Sequence, residues 1–156
     1  VGVAWSSDTE SGVISCDMIV NCGGMWARDL AAKSGVSLPL QACEHFYIVT
    51  EQIPDMQRLP VLRVPDECDY YKEDAGKILL GAFEPKSKPW ALEGIPEEFC
   101  FDQLPEDFGH FEPILAAAVE RMPVLETAGI HTFFNGAESF TPDYKHYLGQ
   151  TTGVEG

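Results

Sequence analysis

Polar and apolar positions alternate most regularly in Leu40-Gln41-Ala42-Cys43-Glu44-His45-Phe46-Tyr47-Ile48-Val49-Thr50. Successive side chains of a strand point to opposite faces, so this run predicts a strand with Cys43, His45, Tyr47 and Val49 on one side. Glu44, Phe46 and Ile48 fall on the other. Upstream, residues 12–22 read as a short strand and then an apolar strand over 18–21, ending in the pair Gly23-Gly24. Residues 25–33 follow as a helix, with Gly35 as its stop signal.

Downstream, residues 51–59 form a polar, proline-bearing connection, and a new strand begins over residues 60–64. Tyr70-Tyr71-Lys72 and residues 77–83 flank Glu73-Asp74-Ala75-Gly76, which is hairpin chemistry. Several strands in succession predict an antiparallel sheet. Residues 84–106 hold Pro85, Pro89, Pro96 and Pro105 with little periodicity, which predicts a long loop anchored by Trp90. Phe111, Ile114, Leu115, Ala118, Val119 and Met122 recur at helical spacing. They predict an amphipathic helix that starts near Asp107, stops at Pro123 and turns its stripe to a core. The last expected strand covers residues 129–135.

Composition limits what such a chain does. Its 156 residues are the length of one ordinary domain, and 45% hydrophobic content suffices for a core. Against 25 acidic residues stand 10 Lys and Arg, a formal charge of −15. That balance argues against binding nucleic acid or an anionic membrane, since both call for a positive patch. No apolar run approaches the ~20 residues that cross a bilayer, and no basic-then-apolar leader opens the chain. Cys16, Cys22, Cys43, Cys68 and Cys100 are odd in number, with no Cys-x-x-Cys pair and no zinc-like histidine spacing. Neither a metal site nor a disulfide framework is expected. Reduced thiols acting as small hydrophobes in a cytosolic or organellar interior are the simplest reading.

Three features bear on chemistry. His45 is either a core histidine satisfied by a neighbouring carbonyl or a proton-transfer group. Strand, Gly23-Gly24 and helix form a unit that either brings backbone amides close to a ligand or makes a bare turn. Arg63 either meets a substrate carboxylate through its planar fork or forms a structural salt bridge. His110, His131 and His146 belong to no constellation and read as surface or structural residues.

Several runs, in order along nearly the whole chain, resemble the dimethylglycine and sarcosine dehydrogenase family. They are Val20-Asn21-Cys22-Gly23-Gly24-Met25-Trp26-Ala27-Arg28, Glu44-His45-Phe46-Tyr47-Ile48-Val49-Thr50, Leu59-Pro60-Val61-Leu62-Arg63, Tyr70-Tyr71, Gly81-Ala82-Phe83-Glu84-Pro85, Arg121-Met122-Pro123-Val124-Leu125 and Gly136-Ala137-Glu138-Ser139-Phe140-Thr141-Pro142-Asp143. These enzymes are FAD-dependent oxidoreductases of the D-amino-acid-oxidase superfamily. Gln41-Ala42-Cys43-Glu44-His45-Phe46-Tyr47 also resembles the non-catalytic regulatory subunit of pyruvate dehydrogenase phosphatase, which supplies the alternative function.

The resemblance implies an interior piece of a longer protein. The family's Gly-x-Gly-x-x-Gly turn for the FAD pyrophosphate, its flavin-linking histidine, its later glycine-rich segment and its folate-binding region have no counterpart in these residues. It implies an α+β fold. Residues 1–36 would finish an FAD-binding α/β domain, residues 37–142 would form a substrate domain with a mixed or antiparallel sheet and a flanking helix, and residues 143–156 would return to the FAD domain. It makes His45 and Tyr70 catalytic, and Gly23, Gly24 and Trp26 contacts of FAD. The reaction implied is oxidative demethylation of dimethylglycine, sarcosine or a similar N-methyl amino acid. Its cellular setting is the bacterial cytoplasm or the mitochondrial matrix, and tetrahydrofolate is a cofactor only of the longer parent. His45 and Tyr70 are expected on adjacent strands, facing one cavity. Gly23 stands where relatives usually have Ala, and Ala137 where they usually have Pro, a change expected to loosen a turn.

Overall fold

The computed structural model describes residues 16–151 and 154, together with the backbone of two short strands, β1 (Gly2–Val3) and β2 (Val13–Ile14). The chain divides into two compact units, one of residues 1–40 with 140–156 and one of residues 41–139.

In the first unit β1 and β2 pair antiparallel. Residues 18–21, expected as an apolar strand, are not one: Met18, Ile19 and Val20 lie exposed in irregular chain. A strand needs a neighbour to take its amide and carbonyl groups, and none pairs with this run among the described residues. The predicted helix forms as a single 3₁₀ turn, Gly24–Trp26, running into α1 (Ala27–Ala32). Gly35 ends it as expected, where the Val36 amide donates to the Ala31 carbonyl and the Gly35 amide to that of Ala32, a Schellman pattern.

The second unit is built on a six-stranded sheet. Its strands are β3 (Gln41–Thr50), β4 (Leu62–Val64), β5 (Asp69–Asp74), β6 (Lys77–Ala82), β7 (Lys88–Pro89) and β8 (Ile130–Phe140), the last running one residue past the unit. The order is β4-β5-β6-β3-β7, with β8 also paired to β3. The β3–β6, β3–β7, β4–β5 and β5–β6 pairs are antiparallel. The hairpin expected over residues 73–76 forms, but Glu73 and Asp74 belong to β5, and Ala75 and Gly76, both at positive φ, alone make the turn to β6.

Helix α2 (Phe108–Arg121) covers one face of this sheet. Asp107 caps it by accepting from the His110 amide at 3.0 Å. The alternation in β3 decides what goes inside: Phe46 and Ile48 join Tyr71, Ile78, Leu80, Phe111, Ala118, Leu125 and Phe133 in one apolar core. Burying each such side chain contributes about 1.5–3 kcal/mol. A polar network closes one end of the core. Lys88 lies 3.0 Å from Glu44 and 2.8 Å from Asp107, while the Asn135 amide donates to Glu44 at 2.7 Å.

Three expectations need correction. The long loop contains β7, which pairs with β3, although Trp90 does anchor it, its amide donating to the Ala42 carbonyl of β3 at 2.8 Å. The last strand continues through Ala137 to Phe140, so position 137 lies in a strand and not in a turn. Of the five cysteines only Cys43 is buried; Cys16, Cys22 and Cys100 are exposed and Cys68 is half-buried, so all but one do not serve as core hydrophobes.

Candidate functional site

The face of the sheet opposite α2 gathers the chemistry-bearing residues. Antiparallel register sets Arg63 of β4 opposite Tyr70 of β5, Tyr70 opposite Gly81 of β6, and Gly81 opposite Tyr47 of β3. Directly opposed residues share a face, so these four form one row across four strands. One step further along, the same register brings Phe83 beside His45, with ring centroids 4.8 Å apart. Phe83 also lies 5.8 Å from the Tyr70 ring and 5.2 Å from the Arg63 guanidinium carbon. One aromatic ring thus touches all three residues singled out from this part of the sequence.

Strand β8 adds the remaining wall. Phe134 stacks on Tyr47 at 4.7 Å and 16°, and Glu138 places a carboxylate oxygen 3.9 Å from His45 Nε2. That distance is too long for a hydrogen bond. The His45 side chain is 13% exposed.

His45 and Tyr70 therefore share a face, but not on adjacent strands: β6 lies between β3 and β5. What lets them meet is Gly81. A Cβ built there would overlap the Tyr70 ring and hydroxyl, so the phenol lies directly across the β6 backbone. Burial, with Glu138, Tyr47 and Glu84 nearby, pushes the Tyr70 hydroxyl above the usual tyrosine range, against a smaller opposite pull from Arg63. Tyr70 is thus a neutral hydrogen-bond donor at physiological pH. Arg63 makes no ion pair among the described residues, and its guanidinium lies over the Phe83 ring.

Glu84 was missed by sequence reasoning. It follows Phe83 directly, its side chain is only 9% exposed, and burial pushes its carboxyl up against the opposing pull of a backbone hydrogen bond, His45 and His110. His110, read from sequence as lacking a constellation, is 4.0 Å from it. His131 pairs instead with Glu51 at 3.3 Å on the surface, and His146 is exposed.

In the first unit, Asn21 organises the glycine turn: its side chain accepts from the Gly23 amide at 3.1 Å and donates to the Ala27 carbonyl at 2.9 Å. A Cβ at Gly23 would crowd Asn21 and Ala27, so the turn alone explains that glycine. Gly24 is different. It has φ +54 and nothing within 4 Å of its Cβ position, and Trp26 beside it is 42% exposed, a surface open to a planar group. Among the described residues no group of three or more His, Cys, Asp or Glu could hold a metal ion, and no helix is long and apolar enough to cross a membrane.

The chain belongs to the FAD dependent oxidoreductase family, whose profile matches residues 1–156. It is 40% identical over 145 residues to 4-methylaminobutanoate oxidase (formaldehyde-forming) of Paenarthrobacter nicotinovorans, covering 92% of this chain and 18% of that protein. It is 39% identical over 153 residues to the mitochondrial pyruvate dehydrogenase phosphatase regulatory subunit of Mus musculus, covering 96% and 17%. Mouse mitochondrial sarcosine dehydrogenase is 35% identical over 149 residues, covering 96% and 16%. Among solved structures, glycine oxidase from Geobacillus kaustophilus superposes with a TM-score of 0.62 at 24% identity, over 85% of this chain and 32% of that one, a likeness of fold. The chain thus spans less than a fifth of the length of these curated relatives.

Proposed function

We propose that this chain is the substrate-facing part of an FAD-dependent enzyme that oxidatively demethylates an N-methyl amino acid such as dimethylglycine, sarcosine or a 4-methylamino acid. The observation that carries the reading is that His45 and Tyr70 both pack against the Phe83 ring, on the sheet face turned away from the core. The relatives' names give the substrate class. Residues 1–36 are assigned to the end of the FAD domain, 37–142 to the substrate domain and 143–156 to the return.

FAD, if bound, would supply the acceptor for departure of a hydride from the N-methyl carbon. That departure requires an uncharged nitrogen, whose lone pair then closes a C=N bond; water adds to the resulting iminium and formaldehyde is released. His45 takes the proton from the substrate ammonium or holds the free amine in place. Tyr70 donates to the substrate carboxylate, and Arg63 adds a charge-assisted contact to it. Tyr47, Phe83 and Phe134 exclude water from the reacting nitrogen. Gly24 and Trp26 pack on the cofactor, with Gly23 holding the turn.

The isolated chain is expected neither to bind FAD tightly nor to turn over, because it has no phosphate-cradling glycine turn of its own. The electron acceptor and any tetrahydrofolate belong to the longer protein. Its setting is the bacterial cytoplasm or the mitochondrial matrix. The likeness to the phosphatase regulatory subunit favours a second reading, a non-catalytic regulatory protein. Mixing the full-length flavoprotein anaerobically with dimethylglycine, sarcosine and 4-methylaminobutanoate, and following loss of flavin absorbance, separates the two. Bleaching by any of them supports the enzyme; no bleaching by all three favours the regulatory protein.

A further inference from the structure

Strand β8 carries the candidate site past its aromatic wall. Side chains alternate along a strand, so Phe134, whose ring stacks on Tyr47, shares its face with Gly136 and Glu138, whereas Phe133 packs in the core and Asn135 reaches Glu44. Phe134 and Glu138 each meet a residue of β3, Tyr47 and His45. Gly136 stands between those two contacts. Beyond its own chain neighbours, a Cβ built at Gly136 meets only the edge of the Phe134 ring, 3.0 Å away at its closest, among the described residues. The strand thus leaves open space between an aromatic pair and an imidazole with a carboxylate beside it.

Glu138 is placed to use that space. Its side chain is half-exposed and, among the described residues, has no ion-pair partner other than His45 Nε2 at 3.9 Å. An ionised carboxylate only accepts, so it suits a donor that carries positive charge. Two acceptors bonded to one tetrahedral nitrogen at about 2.9 Å each stand roughly 4–5 Å apart, and slightly bent bonds meet the observed separation. The rings of Tyr47 and Phe134 nearby offer π-faces that attract a cation and apolar surface for its methyl groups. Toward the other edge of the sheet the Arg63 guanidinium lies over Phe83, whose ring also packs on His45. A zwitterion fits this polarity, with its carboxylate at Arg63 and Tyr70 and its ammonium at Glu138.

We propose that Glu138 binds the methylated ammonium of the substrate, holding its nitrogen over Gly136 beside His45 and so fixing which end of the zwitterion meets which strand. The proposal rests on the reading of this chain as the substrate-facing part of an amine-oxidising enzyme. Glu138 receives the cation, and His45 then removes its proton. A molecule that keeps the carboxylate but lacks the positive nitrogen loses the Glu138 contact, so the choice of an amino acid over a plain carboxylic acid is made at this residue.

The test measures binding by calorimetry to the full-length flavoprotein with its flavin kept reduced by dithionite, so that no amine is oxidised. Each amine is paired with an acid of the same shape that lacks the charge: sarcosine with methoxyacetate, dimethylglycine with 3-methylbutanoate, and 4-methylaminobutanoate with 4-methoxybutanoate. Glu138→Gln is expected to weaken the amine by about 10-fold to 100-fold, the scale of one hydrogen bond to a charged group, and to leave the affinity of its uncharged counterpart where it was. Arg63→Gln should weaken both members of a pair. Unchanged amine affinity in Glu138→Gln overturns the proposal, and so does equal weakening of amine and counterpart, because a merely structural carboxylate would disturb both. Failure of the enzyme reading is seen separately, as an oxidised, unmutated flavoprotein that none of the three amines bleaches, and the role of Glu138 falls with it.

Discussion

The phenol of Tyr70 lies across the backbone of Gly81 so closely that even a methyl group at position 81 would overlap it. Gly81 is thus the gap through which a residue two strands away reaches the surroundings of His45. The row Arg63-Tyr70-Gly81-Tyr47 works because its third member has no side chain.

Gly81→Ala is therefore expected to displace Tyr70 and destabilise the protein by about 1–3 kcal/mol, the range for overfilling a packed site. Adding Tyr70→Ala to it should recover most of that loss. Thermal or urea melts of the two variants in the full-length protein check both statements, and additive losses would contradict the overlap.

His45→Ala in the full-length protein should slow flavin reduction by ~10² or more, the scale for losing a general acid or base, with FAD still bound. Tyr70→Phe should cost less, because the aromatic wall stays and only one hydrogen bond goes. Stopped-flow reduction at saturating substrate measures both.

Tyr71, the next residue, points into the core and donates to buried Asp69 at 2.6 Å. Tyr71→Phe leaves a buried carboxylate oxygen without that donor, which should lower stability by about 1–3 kcal/mol and leave flavin reduction unchanged once the protein is folded. Adjacent tyrosines would thus report on opposite faces of one strand. A slowed reaction in the folded Tyr71→Phe protein would break this division.

Lys88, chiefly through its hydrogen bond, holds the Asp107 carboxyl below the usual aspartate range. A carboxyl lowered in the folded state contributes stability that is present above the ordinary aspartate range and is lost as pH falls through the lowered value. Lys88→Gln should flatten the decline of melting temperature on acidification below about pH 4. An equally steep acid limb in the variant would exclude this pair as a contributor.

Local rules made much of this fold legible. The alternation in β3 assigned His45 and Tyr47 to one face and Phe46 and Ile48 to the other, because side-chain direction in a strand depends only on parity. Residues 73–76 marked a hairpin, and Asp107 and Pro123 bracketed α2, because turns and caps depend on residues within one turn of chain. The same locality misled at residues 18–21, whose apolar character suits a strand but supplies no neighbour to pair with.

The sequence by itself determined the faces, the turns and, through ordered resemblance, the family to which the chain belongs. Only the tertiary structure decided which of those residues meet. Placing β6 between β3 and β5 separated His45 from Tyr70 and made Gly81 and Phe83 their connection. Packing α2 over the sheet brought His110 to Glu84 across 26 residues of chain, turning a histidine with no visible companion into half of a buried pair. Parity and capping are written within a few residues, whereas strand order and helix packing join residues far apart in sequence, and the fields between buried charges depend on those distances alone.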